Sequence, residues 1–230
     1  MRFRENVTAI IPAGGIGKRM KLKMPKQFVN VNDKPVIAYT VEALSKCNYI
    51  NEIIVAVPED YIPYFNDVVN EFELTKVKKI LCGGSTRQET VLKCLIDGVS
   101  NKYVLVHDAV RPLINLNTIK CAVEEAFKFG ASAVGMVATD TLKITDGEGF
   151  IKETIDRNKV WQIQTPQVFE TSLLLEAHNN ALKNGFSGTD DCSLVENLGH
   201  KIKLVPNESI NIKITYKDDL KLLGAYFDEF

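Results

Sequence analysis

Val7-Thr8-Ala9-Ile10-Ile11-Pro12-Ala13-Gly14-Gly15 is the stretch from which the rest of the chain can be read. Its apolar run is too short for a globular helix and is cut by a proline and two glycines, which predicts a buried strand over Val7–Pro12 and then a Gly-rich turn. The segments after it alternate in the same way. Pro35–Cys47 reads as a helix with Val36, Ile37, Tyr39, Thr40, Val41 and Leu44 on its buried side. Glu52–Val57 reads as a strand, Tyr61–Phe72 as a helix and Val77–Cys82 as a strand. Thr86–Val99 reads as a helix carrying Val91, Leu92, Leu95 and Val99 at i, i+3/i+4 spacing, followed by a strand at Tyr103–His107, a helix at Leu116–Phe129 and a strand at Ala131–Ala138. Short strands separated by helices predict parallel β-α-β units with right-handed crossovers. The expected class is α/β, a mostly parallel sheet with helices on both faces.

From Thr139 to Gln164 the alternation stops. Thr141–Thr145 and Phe150–Ile155 each alternate at period two around Asp146-Gly147, which predicts a hairpin protruding from the sheet. An isolated two-stranded arm has unpaired edges, so the expectation is a dimerisation arm at about 139–160; a surface hairpin folded onto its own domain is the other reading. Beyond it the pattern predicts helices at Thr171–Lys183 and Asp190–Leu198, strands near Lys201–Val205 and Ile210–Ile214, and a final helix from Lys217. No repeat, low-complexity tract or linker interrupts the chain, so one domain over 1–230 is expected.

Composition narrows the function classes. The 230 residues carry 28 Lys+Arg against 29 Asp+Glu, which excludes a globally basic nucleic-acid binder. The longest uncharged apolar stretch, near Phe129–Thr139, falls well short of the ~20 residues a membrane span needs. The segment Met1-Arg2-Phe3-Arg4-Glu5 has no long apolar run behind it, so no secretory signal is expected. Cys47, Cys82, Cys94, Cys121 and Cys192 are odd in number, widely spaced and mostly inside apolar runs, as reduced core thiols of a cytoplasmic protein would be. His107, His178 and His200 lack metal-ligand spacing to a cysteine or to each other, so no protein-held metal is expected.

Several segments carry candidate chemistry. Pro12-Ala13-Gly14-Gly15-Ile16-Gly17-Lys18-Arg19-Met20 allows close backbone approach to a phosphate. It fails as a P-loop, because Arg19 follows Gly17-Lys18 and Pro12 stands at the first glycine position; it fails as a dinucleotide fingerprint, because Met20 stands at the last. What remains is a turn carrying Lys18 and Arg19, with Lys26 after Pro25, suited to a polyanion such as a triphosphate or, equally on spacing, a solvated basic loop. Asp108 follows a central strand, where open α/β sheets bind ligands; it could meet a metal ion or a hydroxyl, or cap its turn with Arg111 as ion partner. His107 reads as a packed strand residue. Cys82-Gly83-Gly84-Ser85-Thr86-Arg87 offers a second ligand wall at a helix N-terminus, or simply a capped loop. Lys213, between Ile212 and Ile214, calls for an anion if buried and for none if it faces water from an edge strand.

Together these segments resemble the cytidylyltransferases of the non-mevalonate isoprenoid pathway, which join 2-C-methyl-D-erythritol 4-phosphate to CTP. The resemblance runs nearly end to end. It rests on Lys18-Arg19-Met20, Pro25-Lys26-Gln27-Phe28, His107-Asp108-Ala109-Val110-Arg111-Pro112, Asp156-Arg157-Asn158 with Trp161 and Thr165-Pro166-Gln167, Thr189-Asp190, and Asn211-Ile212-Lys213. It implies a Rossmann-like nucleotidyltransferase fold and a homodimer in which the arm embraces the partner. It further implies that Arg19, Lys26, Arg157 and Lys213 are catalytic, the first two on the triphosphate. Pro12, Ala13, Gly14, Gly15, Gly83, Gly84, Ser85 and Thr90 would hold the cytidine. Asp108, Arg111, Thr141, Thr165 and Thr189 would position the polyol phosphate together with Arg157 and Lys213, with Arg111, Thr141 and Arg157 acting across the dimer. Mg²⁺ would enter bound mainly through the CTP phosphates.

The wording Ala13-Gly14-Gly15-Ile16-Gly17 is similar also to ribitol 5-phosphate cytidylyltransferases, which make CDP-ribitol for wall and glycan polymers. Gly14, Ser85 and Thr90 depart from the residues more usual in the isoprenoid enzymes. Asp156-Arg157-Asn158, Trp161 and Thr189-Asp190 favour methylerythritol phosphate as acceptor.

Overall fold

Every residue of the first strand is buried or half-buried, and its side chains alternate between the two faces of a sheet. The computed structural model describes residues 5–15 and 24–228. In chain order come β1 (Val7–Pro12), a 3-10 turn at Lys26–Phe28, the short strands β2 (Asn30–Val31) and β3 (Lys34–Pro35), α1 (Val36–Ser45), β4 (Ile50–Val57) and α2 (Ile62–Glu71). Then follow β5 (Val77–Cys82), α3 (Arg87–Asp97), β6 (Tyr103–Val106), α4 (Leu116–Phe129) and β7 (Ala131–Val137). The hairpin β8 (Leu142–Thr145) and β9 (Ile151–Ile155) leads to β10 (Trp161–Glu170), α5 (Thr171–Asn184), α6 (Asp191–Asn197), β11 (Lys203–Pro206) and α7 (Lys217–Asp228).

The central sheet has seven strands in the order β11-β7-β10-β6-β1-β4-β5. β10 runs antiparallel to both of its neighbours, and the remaining pairs are parallel. Ala9 and Ile11 face the layer made by α1, α2 and α4, where Ile37, Phe65 and Val123 are buried. Ile10 faces the opposite layer, built from α3, α5 and α6 around Val91, Leu174 and Val195. Period-two alternation in β1 thus divides one strand between two apolar layers, each sealed by helices whose buried residues recur every third or fourth position. The α/β class with helices on both faces follows directly.

Two segments differ from the reading of the sequence. Trp161–Gln167, for which the sequence pattern predicts no strand, is the first part of β10, in the middle of the sheet. Its signal is broken by Thr165-Pro166: a proline lacks the N–H a ladder needs, and the pairing of β10 with β7 is interrupted between Ile163 and Gln167. Ile210–Ile214, expected to be a strand, pairs with none. It runs beside the end of the sheet, held by the Ile214 N–H donating to the Val110 carbonyl at 2.9 Å. Ile214 is fully buried in a small third apolar cluster with Val36 and Leu223, so its hydrophobicity serves side-chain packing instead of a ladder.

The hairpin is present where expected, with a longer connection than two residues. Asp146 accepts hydrogen bonds from the Glu148 and Phe150 N–H groups, and Gly147 and Gly149 take positive φ values of 91° and 98°. Ile144, Phe150 and Ile151 on this arm are exposed. All five cysteines are free; Cys47, Cys94 and Cys192 are buried, while Cys82, at the end of β5, is exposed and departs from the core-thiol reading. No helix among the described residues is long and apolar enough to cross a membrane.

Candidate active site

The site lies at the carboxyl ends of β1, β4, β5 and β6, where the parallel strands release their loops. After β1, the Ala13 N–H donates to the Ala56 carbonyl at 2.7 Å. The buried Gln27 side chain donates to the carbonyls of Ala13 and Gly15, which ties the first described residues of the Gly-rich loop to the Lys26–Phe28 turn. Phe28 anchors that turn by stacking on Tyr61, ring centroids 4.8 Å apart. Lys26 is thereby held at the cavity wall, its Nζ donating to the Ile214 carbonyl.

The second wall is the loop between β5 and α3. Gly83 donates from its N–H to the Val57 carbonyl at 2.9 Å, and Gly84 to the Thr90 Oγ1 at 2.9 Å. The Thr90 hydroxyl donates a hydrogen bond to the Thr86 carbonyl, and the Thr86 side chain caps the helix by accepting from the Glu89 N–H. The Glu89 carboxylate folds back to accept from both the N–H and the hydroxyl of Ser85, and these bonds hold its pKa below the usual value. A Cβ on Gly83 would sit 3.4 Å from both the Gly14 Cα and the Thr90 hydroxyl. The two glycine loops therefore approach backbone to backbone, and what they present to a ligand is main chain.

Asp108 is the centre of charge. Lys213 lies 2.8 Å from its Oδ2, the Arg111 Nε 3.5 Å from the same oxygen, and the Arg87 Nε 3.5 Å from Oδ1. Burial opposes ionisation of this carboxyl, but Arg87, Lys213 and Arg111 outweigh it and hold the pKa well below the carboxylate range. Arg87 in turn donates to Asp191 Oδ2 at 2.7 Å; burial works against its charge, and Asp191 and Asp108 more than compensate. Arg111 donates to the Asn211 carbonyl at 2.7 Å, and burial lowers its pKa.

Behind Asp108 stands a neutral buried network. His107 Nε2 lies 3.1 Å from the Arg111 carbonyl, so that nitrogen carries the proton. Nδ1 then accepts from the Thr165 hydroxyl at 3.0 Å, whose oxygen accepts the Asp108 N–H at 3.0 Å. Burial pushes the His107 pKa down to about 4. His107 is a packed strand residue, as expected.

These walls enclose two cavities. One, of about 310 Å³, is lined by Pro12–Gly15, Lys26, Ser85 and Thr90; the other, of about 840 Å³, by Arg111, Thr165, Gln167 and Thr189 among others. Arg87, Asp108 and Lys213 line both. A site for two anionic reactants joined at a cluster of cations is what this arrangement can hold.

The profile of the 2-C-methyl-D-erythritol 4-phosphate cytidylyltransferase (IspD) family matches residues 7–229. The chain belongs to this family. It is 37% identical to the enzyme of that name from Syntrophus aciditrophicus, over 97% of each chain, and 40% identical to the one from Clostridium acetobutylicum, over 92% of this chain and 93% of that one. Among solved structures, 4-diphosphocytidyl-2C-methyl-D-erythritol synthase from Anaerococcus prevotii superposes with a TM-score of 0.85 at 28% identity, covering 98% of this chain and 97% of that one. The cytidylyltransferase from Thermus thermophilus gives 0.81 at 33% identity, over 97% and 99%.

Within this IspD-family site the expected residues fall into groups. Pro12, Ala13, Gly14, Gly15, Lys26, Gly84, Ser85 and Thr90 line the smaller cavity, with Gly83 directly behind it. Thr90 takes part through the shape of the loop, since its hydroxyl is committed to Gly84 and Thr86. Thr165 is likewise committed, to His107 and Asp108. Asp108, Arg111, Thr165, Thr189 and Lys213 line the larger cavity. Arg111 is buried in the wall of its own chain's larger cavity. Lys213 has an anion, Asp108, while remaining partly exposed, and the edge strand of the other reading is absent from its segment.

Arg157 and Thr141 line neither cavity; both are exposed at the base of the arm, and the Arg157 guanidinium donates to the Thr139 carbonyl. Arg19 lies outside the described residues. The reading of the sequence missed Arg87, Gln167 and Asp191 as site residues. Gln167 donates to Asp190 at 2.7 Å and accepts from the Cys192 N–H, fastening the start of α6 to β10. Arg87 did carry a signal: a cation in the first turn of a helix opposes the helix dipole.

Proposed function

We propose that this chain transfers the cytidylyl group of CTP to the phosphate of 2-C-methyl-D-erythritol 4-phosphate, forming a CDP-polyol and releasing pyrophosphate. The observation that carries this reading is the meeting of two cavities at Arg87, Asp108 and Lys213. The smaller takes the nucleotide, its base and ribose against main chain of Pro12–Gly15 and Gly83–Ser85. The larger takes the polyol phosphate beside Arg111, Thr189 and Lys213.

A phosphate oxygen of the acceptor forms a new bond to the α-phosphorus of CTP, and the bond from that phosphorus to the bridging oxygen of the β-phosphate breaks. Phosphate monoesters are already ionised at pH 7, so no general base is required. The obstacle is the approach of two anions, and the chain's answer is positive charge: Lys26 toward the triphosphate and Lys213 at the junction, with Arg19 expected to join Lys26. His107 is neutral and fully hydrogen-bonded, which leaves it no proton-transfer role.

Both oxygens of Asp108 face cations, and the described residues hold no group of three or more His, Cys, Asp or Glu that could cage a metal. Mg²⁺ therefore fits as an ion carried in on the triphosphate oxygens, with Asp108 at most an outer partner. When bound there it withdraws charge from the phosphates.

The arm, which exposes Ile144, Phe150 and Ile151 and has Arg157 and Thr141 at its base, supports a homodimer in which each arm reaches its partner's acceptor cavity. A single catalytic domain over 1–230 in the cytoplasm completes the reading. The test is pyrophosphate release from CTP and Mg²⁺ with methylerythritol phosphate or ribitol phosphate at matched concentrations. A large preference for methylerythritol phosphate is expected; a preference for ribitol phosphate would overturn the choice of acceptor while keeping the chemistry.

A further inference from the structure

We propose that Arg87 is a positioning residue: pinned by Asp191, it keeps Asp108 paired when an incoming phosphate draws Lys213 away, and so frees Lys213 to act. This deepens the two-anion reaction above and rests on it.

Arg87 opens α3, where the helix dipole disfavours a cation, so carboxylates hold it there against that field. It uses its fork on two of them, Nη1 on Asp191 at 2.7 Å and Nε toward Asp108 at 3.5 Å. Asp191 opens α6 with its side chain almost wholly buried, and its second oxygen lies 3.4 Å from Nε2 of the buried His178. Asp191 cannot follow a moving ligand, and neither can a guanidinium attached to it. Arg111 is similarly fixed, by the Asn211 carbonyl. Lys213 is the exception among Asp108's partners: its side chain is 41% exposed and sits on a segment outside the sheet.

A buried carboxylate that loses its cations becomes costly, so Asp108 would resist giving up Lys213 if that lysine were its main partner. Arg87 removes the resistance, since Asp108 keeps two fixed guanidinium groups after Lys213 turns to the phosphate. The same contact fastens the start of α3, on the nucleotide wall, to the start of α6, on the acceptor wall. A lysine at position 87 could meet Asp191 as a point charge but could not fork to both carboxylates.

The test uses the full-length chain with Arg87→Lys, Arg87→Gln and the double variant Arg87→Gln/Asp191→Asn, the last leaving no unpaired charge at position 191. KM for each substrate, kcat, thermal midpoint and the rate of Lys213 acetylation by acetic anhydride, read by mass spectrometry without substrates, are measured for each. In the double variant, KM for the acceptor should rise about tenfold while KM for CTP stays within about twofold. Lys213 acetylation should slow about threefold or more, because Asp108 holds the lysine more closely. Arg87→Lys should restore the thermal midpoint without restoring the acceptor KM. A folded double variant with unchanged Lys213 acetylation would overturn the proposal, as would recovery of the acceptor KM by Arg87→Lys. A wild-type protein inactive with CTP and either polyol phosphate would overturn the proposed reaction; the acetylation rates would still decide the role of Arg87.

Discussion

The ammonium of Lys213 and the carboxylate of Asp108 lie 2.8 Å apart, the first on a segment beyond the last strand and the second directly after β6. Both residues line both cavities, and each bears on activity in a different way. Lys213→Ala should lower kcat by about 10²–10³, the range seen when one preorganised electrostatic donor is removed, with KM for CTP little changed. Steady-state kinetics with both substrates checks this; a loss confined to KM for CTP would contradict it.

Asp108→Asn removes the shared partner of three cations and should destabilise the fold by about 3 kcal/mol. The ionised carboxylate contributes stability that is fully present above the ordinary carboxylate range and is lost as pH falls through its depressed native pKa. Urea unfolding of the wild type should therefore show a steep acid limb below about pH 4 that flattens in the variant.

His107 acts at milder acidity. Its pKa falls from the ordinary 6.5 to about 4 by burial, so between those values the unfolded chain binds a proton that the folded chain refuses. Stability from this group is fully present above about pH 6.5 and is lost as pH falls toward 4, amounting to about 3 kcal/mol. His107→Gln should flatten this window, whatever its effect at pH 7, and unfolding midpoints taken every half pH unit would show it.

Thr90→Val deletes the acceptor for the Gly84 N–H and the donor to the Thr86 carbonyl at nearly constant volume. An unpaired backbone N–H in this part-buried loop costs about 1–3 kcal/mol, so the loop should shift and KM for CTP rise about tenfold. The kcat at saturating CTP should stay within about threefold, because no transition-state cation is disturbed.

The shared-site homodimer is tested by complementation. Lys213→Ala and Arg157→Ala chains, each nearly inactive alone, should regain about a quarter of wild-type activity when mixed after unfolding and refolding, since half the dimers would be hybrids with one intact site. No recovery would place Arg157 in the cavity of its own chain or outside the site.

The chain's own pattern was enough for the layered α/β architecture, because β1 and α4 carry local periodicities that bury one face whatever lies opposite. Val7–Pro12, Val77–Cys82 and Leu116–Phe129 end where their punctuation says they should. The glycines of the nucleotide wall were legible for the same reason, since close backbone approach admits few other residues. What local signals could not carry was pairing. The antiparallel place of β10 in mid-sheet is decided by β6 and β7 on either side, against a proline that argues for a loop. Ile210–Ile214 has a strand's composition but meets no open edge. Arg87, Asp108, Asp191 and Lys213 come from four separate segments, and the local signals at Asp108, Lys213 and Arg87 named no partner for any of them. Tertiary structure alone decided that they meet, because the cost of burying one charge is met by others far away in the chain.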